Sequence, residues 1–256
     1  MARFSLTANP AQVERATILV GLFFVAGAGL LSTQRLGDNL MMAAMEGGAG
    51  LGYLTLLFAM WWTMMMAMML PSATPAILTF ASLNRKLGKG SGTVALGAFI
   101  AGYMVVWSLF CLGVVALQVF LGGMIQLDMM MALESAWVGG ALLVAAGFYQ
   151  LSPLKWSCLS KCQSPLLFFA HRWRPGATGA LRMGFSHGLY CLGCCWVLMV
   201  LLFYGGVMEL RWIVGLAAFV AAEKLIPAGN RLSRFAGLIL IGWGIWTVWQ
   251  ATGASA

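Results

Sequence analysis

The sequence predicts an all-α protein: a polytopic bundle of about seven transmembrane helices forming one integral membrane domain over residues 1–256. Three observations carry that prediction. Hydrophobic residues make up 61% of the chain and charged residues only 9%. Apolar stretches long enough to cross a bilayer recur along its whole length, and basic residues gather on alternate links between them. At a mean hydropathy of +0.89, too little polar surface remains to cover a water-soluble globule. A separate soluble module has no room.

The spans fall at about 16–32, 51–71, 93–121, 132–151, 181–204, 211–228 and 234–251, each close to the roughly 17 to 25 residues that a bilayer crossing requires. The stretches at 16–32 and 211–228 are short, and 93–121 is long enough to tilt or to project from the bilayer. Arg15, the apolar run after it and Ala26-Gly27-Ala28 also have the form of a signal peptide with a small-residue cleavage site. Its removal would leave six helices in the same orientation.

Orientation follows from charge, because cytoplasmic flanks accumulate Lys and Arg. With the N-terminus cytoplasmic, every basic residue except Arg35 and Arg211 falls on the inner side, whereas Asp38, Glu46, Asp128, Glu134 and Glu209 fall outside. The net charge of +8 is therefore an orientation signal and calls for no nucleic-acid partner.

Trp61 to Pro71 reads W-W-T-M-M-M-A-M-M-L-P. Thioether sulfur packs like a hydrocarbon yet also binds Cu(I), so this run is either core filling or the wall of a metal site. Pairs four apart (Met60 and Met64, Met64 and Met68, Met65 and Met69) show that one helical face cannot hold them all. Met65, Met68 and Met69 are the candidate ligands, and the others are expected against lipid or other helices. Pro71 and Pro75 are expected to break the helix at the cytoplasmic boundary, either as a simple stop or to free carbonyls for a site.

A second group, His187, Cys191, Cys194 and Cys195, lies at offsets of three and four in the fifth span and forms one helical stripe. Gly184, Gly188 and Gly193 leave that stripe thinly covered, so that a neighbouring helix approaches closely. The bland alternative is a packing seam in which thiols act as small hydrophobes. At about 1.5 Å per residue, the inward run of Met64–Met69 and the outward run from His187 reach comparable depths, so the two groups can face each other.

Cys158 and Cys162 share one face of a basic, aromatic segment with Trp156, His171, Arg172 and Trp173 nearby, suited to lie on the lipid headgroups. On a cytoplasmic loop they are expected as free thiols, with Lys155 and Lys161 favouring thiolate, and serve either in metal capture or incidentally. Glu223 and Lys224 sit near the inner end of the sixth span. A carboxylate at that depth is a functional candidate, or half of a charge pair snorkelling to the interface.

Other chemistries find no support. The sequence contains no Walker-type loop, no strand-linked G-x-G-x-x-G, no H-E-x-x-H and no G-x-S-x-G. Two histidines in total argue against haem or histidine-rich di-iron sites, and the scattered carboxylates argue against hard cations.

Four motifs resemble the DUF2182 (PpoB2-like) family of bacterial integral membrane proteins described as predicted metal-binding proteins. They are W-x-x-M-x-A-M-M-L-P-S at Trp62 to Ser72, Q-L-S-P-L-K-x-x-C-L-x-x-C at Gln150 to Cys162, G-x-x-C-x-G-C-C-W at Gly188 to Trp196 and E-K-x-x-P-x-G at Glu223 to Gly229. Met65, Met68, Met69, Cys158, Cys162, Cys191, Cys194, Cys195, Glu223 and Lys224 stand on its signature positions, whereas His187 belongs to the helical stripe alone. The resemblance implies a multi-pass bacterial inner-membrane protein with about seven helices and copper as the suggested metal; it brings no reaction. Thiolate and thioether with little histidine independently favour Cu(I) over Zn(II), Fe(II) or Mg(II).

The expected function is Cu(I) handling, delivery or transport in the bilayer, in exchange with a copper donor or acceptor protein or a membrane complex. Two alternatives stay open: a membrane thiol/disulfide redox enzyme cycling Cys191 and Cys194, and a structural subunit of a larger complex.

Overall fold

The computed structural model describes residues 10–45, 50–87, 92–121 and 131–253. Glu46, Lys89 and Asp128 lie outside the described residues, as does Arg3. Helices dominate: α1 (Pro10–Met45), α2 (Leu51–Ser72), α3 (Thr74–Leu87), α4 (Gly92–Leu121), α5 (Ala136–Leu151), α6 (Pro153–Gln163), α7 (Pro165–Arg172), α8 (Gly176–Val200), α9 (Leu202–Gly205), α10 (Leu210–Leu225) and α11 (Gly229–Gly253). The described residues contain no β-strand beyond a single bridge, in which the Leu133 N–H donates to the Phe203 carbonyl at 2.7 Å.

Five segments are long and apolar enough to cross a membrane: Gln12–Met45, Leu51–Ser72, Gly92–Phe120, Gly176–Gly205 and Gly229–Thr252. The all-α class holds, and these segments mark the chain as a multi-pass membrane protein. Its outward faces are correspondingly apolar, with Phe23, Phe24, Phe120, Trp246 and Trp249 all exposed.

Two expected spans differ. The stretch at 132–151 begins as helix only at Ala136, capped by Ser135, and joins α6 across a 63° bend. Ser152 and Pro153 cause that bend: the serine carbonyl side is extended, its hydroxyl accepts from Lys155 N–H, and the proline starts a new helix. The stretch at 211–228 is helical only as far as Leu225, and the whole of α10, sixteen residues from Leu210, is about 24 Å long at 1.5 Å per residue, short of the roughly 30 Å hydrocarbon core. It stops because Pro227 holds Ile226 in extended backbone, φ −86° and ψ 132°.

The methionine run is enclosed. Met60, Met64, Met65, Met66, Met68 and Met69 are all buried, because α2 is enclosed by α1, α4 and α10 and followed by α3. Lipid covers none of these side chains; other helices, the second of the two surroundings expected for them, do. Pro71 does not break the helix either: α2 runs through it to Ser72, and the chain turns only at Ala73 before α3. Pro71 forfeits one helical bond, that of its missing N–H to the Ala67 carbonyl, and the helix closes one residue later.

The closest contacts run along glycine seams. At Gly184 a Cβ would overlap the Phe99 carbonyl, and at Gly102 the Leu181 carbonyl, so α4 and α8 touch backbone to backbone. At Gly188 a Cβ would stand 2.9 Å from Val106 Cγ2. The expected thin covering of the stripe is thus real, and α4 is the helix that uses it. Gly140 and Gly147 on α5 meet Gly244 and Gly237 on α11 in the same way. Such small-residue contacts suit helices that have lipid outside and gain association from close packing.

Candidate metal centre

The α4–α8 seam sets what the α8 stripe faces. It carries Tyr103 to the thiols, where the hydroxyl lies 3.0 Å from Cys191 Sγ and donates to the Met69 carbonyl at 3.1 Å. A tyrosine buried in an apolar span needs such partners for its hydroxyl. From α10, Lys224 Nζ donates to Cys191 Sγ and to Ser72 Oγ, each at 3.0 Å. The C-terminal end of α2 and the middle of α8 are therefore tied together by two side chains from other helices.

Around Cys191 the sulfur groups converge. Cys194 and Cys195 thiols donate back to the Cys191 carbonyl at 3.0 and 2.9 Å. Cys195 Sγ also lies 3.9 Å from Met69 Sδ, which joins the thiol stripe to the methionine run. Cys162, on α6, packs against α8 in the same buried core. All four cysteines are buried.

Cys162 reaches this position because α6 folds back along α8 after the bend at Ser152. The expected headgroup-level helix is instead part of the core on one side. Cys158, one turn earlier, is half-buried at Gly193, where a Cβ would come 2.7 Å from its Sγ. Gly193 thus admits a neighbouring thiol where Gly184 and Gly188 admit a helix.

His187 lies one turn before Cys191 in a cage of rings, with centroids of Phe168, Tyr103 and Phe99 at 5.4, 6.1 and 6.2 Å. Its Nδ1 is buried without a hydrogen-bond partner. Met65 and Met68 are buried in the same core as Met69, whose sulfur is the one in contact with a thiol.

Glu223 and Lys224 are adjacent in sequence but diverge, as neighbours about 100° apart on a helix must. Glu223 accepts from Lys155 Nζ at 2.8 Å and from Gln150 Nε2 at 3.3 Å, and Lys155 also donates to Gln150 Oε1. Ser233 donates to the Gln150 carbonyl at 3.2 Å. With Glu223 1% and Lys224 6% exposed, neither snorkels to an interface. Glu223 ties α5, α6 and α10 together, while Lys224 faces the thiols.

Sequence reasoning passed over Tyr103 and Lys155 as site residues. Tyr103 carried a signal, since a phenol in a strongly apolar helix requires a partner, whereas Lys155 stands in a polar, basic segment that gave none.

Among the described residues, no group of three or more His, Cys, Asp or Glu side chains stands in a metal-holding arrangement. The soft donors present are thiols with a thioether beside them, a set that fits Cu(I) better than Zn(II) or a hard cation.

Fold and site together define a multi-pass, all-helical membrane protein with a buried sulfur-rich centre. The family model for PpoB2, described as a copper chaperone, matches residues 58–247, and the chain belongs to this family. The match takes in α2 through most of α11, and so every residue of the centre. No curated protein and no solved structure matches the chain.

Proposed function

We propose that the protein is a Cu(I)-handling integral membrane protein of the bacterial inner membrane, holding its cargo between α2 and α8 on Cys191, Cys194, Cys195 and Cys162 with Met69 alongside. The observation that carries this reading is the approach of Met69 Sδ to Cys195 Sγ, 3.9 Å, within a buried group of thiols. Thiolate and thioether donors in a site closed to water select a soft monovalent ion. The family description as a copper chaperone agrees. Donor and acceptor are a copper-carrying protein or a membrane complex, in exchange with this centre.

The membrane topology belongs to the same reading: a single domain, the N-terminus cytoplasmic and about seven membrane segments, α10 and the bent α5–α6 pair completing the five long spans. Pairing of Glu14 with Arg85, and of Lys155 with Glu223, supports the alternation, since each joins residues assigned to one side. Purified protein should hold roughly one or two Cu(I), removed by Cys191→Ser with Cys194→Ser. Copper-free wild-type protein after loading would refute it.

A second reading is favoured by one specific contact. Lys224 Nζ, 3.0 Å from Cys191 Sγ, is the setting of a nucleophilic thiolate, as a thiol/disulfide oxidoreductase acting with a quinone or protein dithiol would need. In that case Cys191 and Cys194 would show potential-dependent alkylation without any effect of copper.

A further inference from the structure

Beside the N-terminal end of α8 lies a cavity of about 480 Å³, lined in part by Arg172, Arg174, Arg182 and Met183, with no carboxylate among its lining residues. The three arginines are exposed, so the cavity opens outward. Arg172 is fixed in place, donating to Ser186 Oγ and Tyr190 hydroxyl at 3.0 Å each. Met183, by contrast, is 2% exposed and reaches the cavity from its buried side.

Met183, His187, Cys191 and Cys195 succeed one another at intervals of four. Residues so spaced lie on one helical face, each about 6 Å further along the axis. A thioether at the cavity floor, an imidazole with an orphaned buried Nδ1 and the thiol centre therefore form one line into the core. Three aromatic rings keep that imidazole dry and held. Aromatic packing alone does not explain a histidine there, because a buried nitrogen without a partner is costly.

We propose that this line is the route by which Cu(I) exchanges between the basic cavity and the thiol centre, with Met183 and His187 as transfer ligands and the arginines receiving an anionic Cu(I)–thiolate donor. The inference rests on the Cu(I) reading of the centre. A Cu(I) ion carried by two small thiolates has net negative charge, which suits a cavity of guanidinium groups and repels a free cation. Transfer is ligand exchange without oxidation: copper remains Cu(I), each donor thiolate that leaves takes up one proton, and each cysteine that becomes a ligand gives one up.

The test is stopped-flow loading of the purified full chain from a glutathione–Cu(I) complex. His187→Phe and Met183→Leu preserve shape in the core, and each is expected to slow loading by at least about tenfold while leaving final stoichiometry and affinity unchanged. Arg174→Gln with Arg182→Gln slows loading from the anionic complex but not from cationic acetonitrile–Cu(I). Wild-type loading rates in His187→Phe would overturn the route, as would a lost equivalent of copper, which would make His187 part of the resting centre. Failure of wild-type protein to hold copper at all is a separate result that removes the underlying reading.

Discussion

Lys224 Nζ stands 3.0 Å from Cys191 Sγ, a cation in contact with the thiol centre and brought there from a different helix. In the proposed Cu(I) complex, two thiolates around one ion would leave a net negative charge in a buried place, with this ammonium as its counter-ion. A hydrogen bond to a charged group contributes about 1.5–3 kcal/mol, so Lys224→Met should weaken Cu(I) binding by roughly tenfold or more. Competition titration with a Cu(I) chelator measures it; unchanged affinity would separate Lys224 from the centre.

Met69 and Met65 make a sharper comparison. Both are buried, and only Met69 has its sulfur beside a thiol. Leucine replaces methionine in cores at a cost usually below about 1.5 kcal/mol. Met69→Leu should therefore lower Cu(I) affinity with little loss of thermal stability, and Met65→Leu should change neither. Equal effects of the two on affinity would return the run to plain packing.

The Glu223–Lys155 pair serves stability. Removing one partner strands the other charge out of water, so Glu223→Gln should destabilise the protein by about 3–5 kcal/mol. Lys155→Met combined with Glu223→Leu should cost much less, since no charge is then stranded. Thermal unfolding in detergent compares them. A mild effect of Glu223→Gln would contradict the burial that isolates this pair.

The α4–α8 seam is testable at Gly184, where any Cβ would overlap the Phe99 carbonyl. Gly184→Ala should cost about 1–3 kcal/mol as the backbones part, and should displace Tyr103 from Cys191. Gly97 on α4 has open space around it, so Gly97→Ala is the control and should be neutral or stabilising by up to about 1 kcal/mol.

Much of this arrangement was legible in the sequence, and for identifiable reasons. Apolar runs of bilayer length marked the long helices, and the four-residue spacing of His187, Cys191 and Cys195 marked a stripe. Glycines at 184 and 188 announced a close neighbour. They did not say which neighbour, because small residues admit any helix; α4 and Tyr103 emerged only from packing. Cys162 was read as a surface thiol because the 63° bend that turns α6 onto α8 depends on tertiary contacts and leaves only the Ser-Pro start in the sequence. Full burial of the methionine run likewise reflects how many helices surround α2, which no property of α2 itself records.

The central claim is that Cu(I) rests on sulfur between α2 and α8. X-ray absorption at the copper edge of Cu(I)-loaded full-length protein tests it most directly. The proposal predicts a shell of sulfur donors alone, abolished in Cys191→Ser with Cys195→Ser and thinned in Met69→Leu. A shell of nitrogen and oxygen donors, or a sulfur shell indifferent to these substitutions, would contradict it.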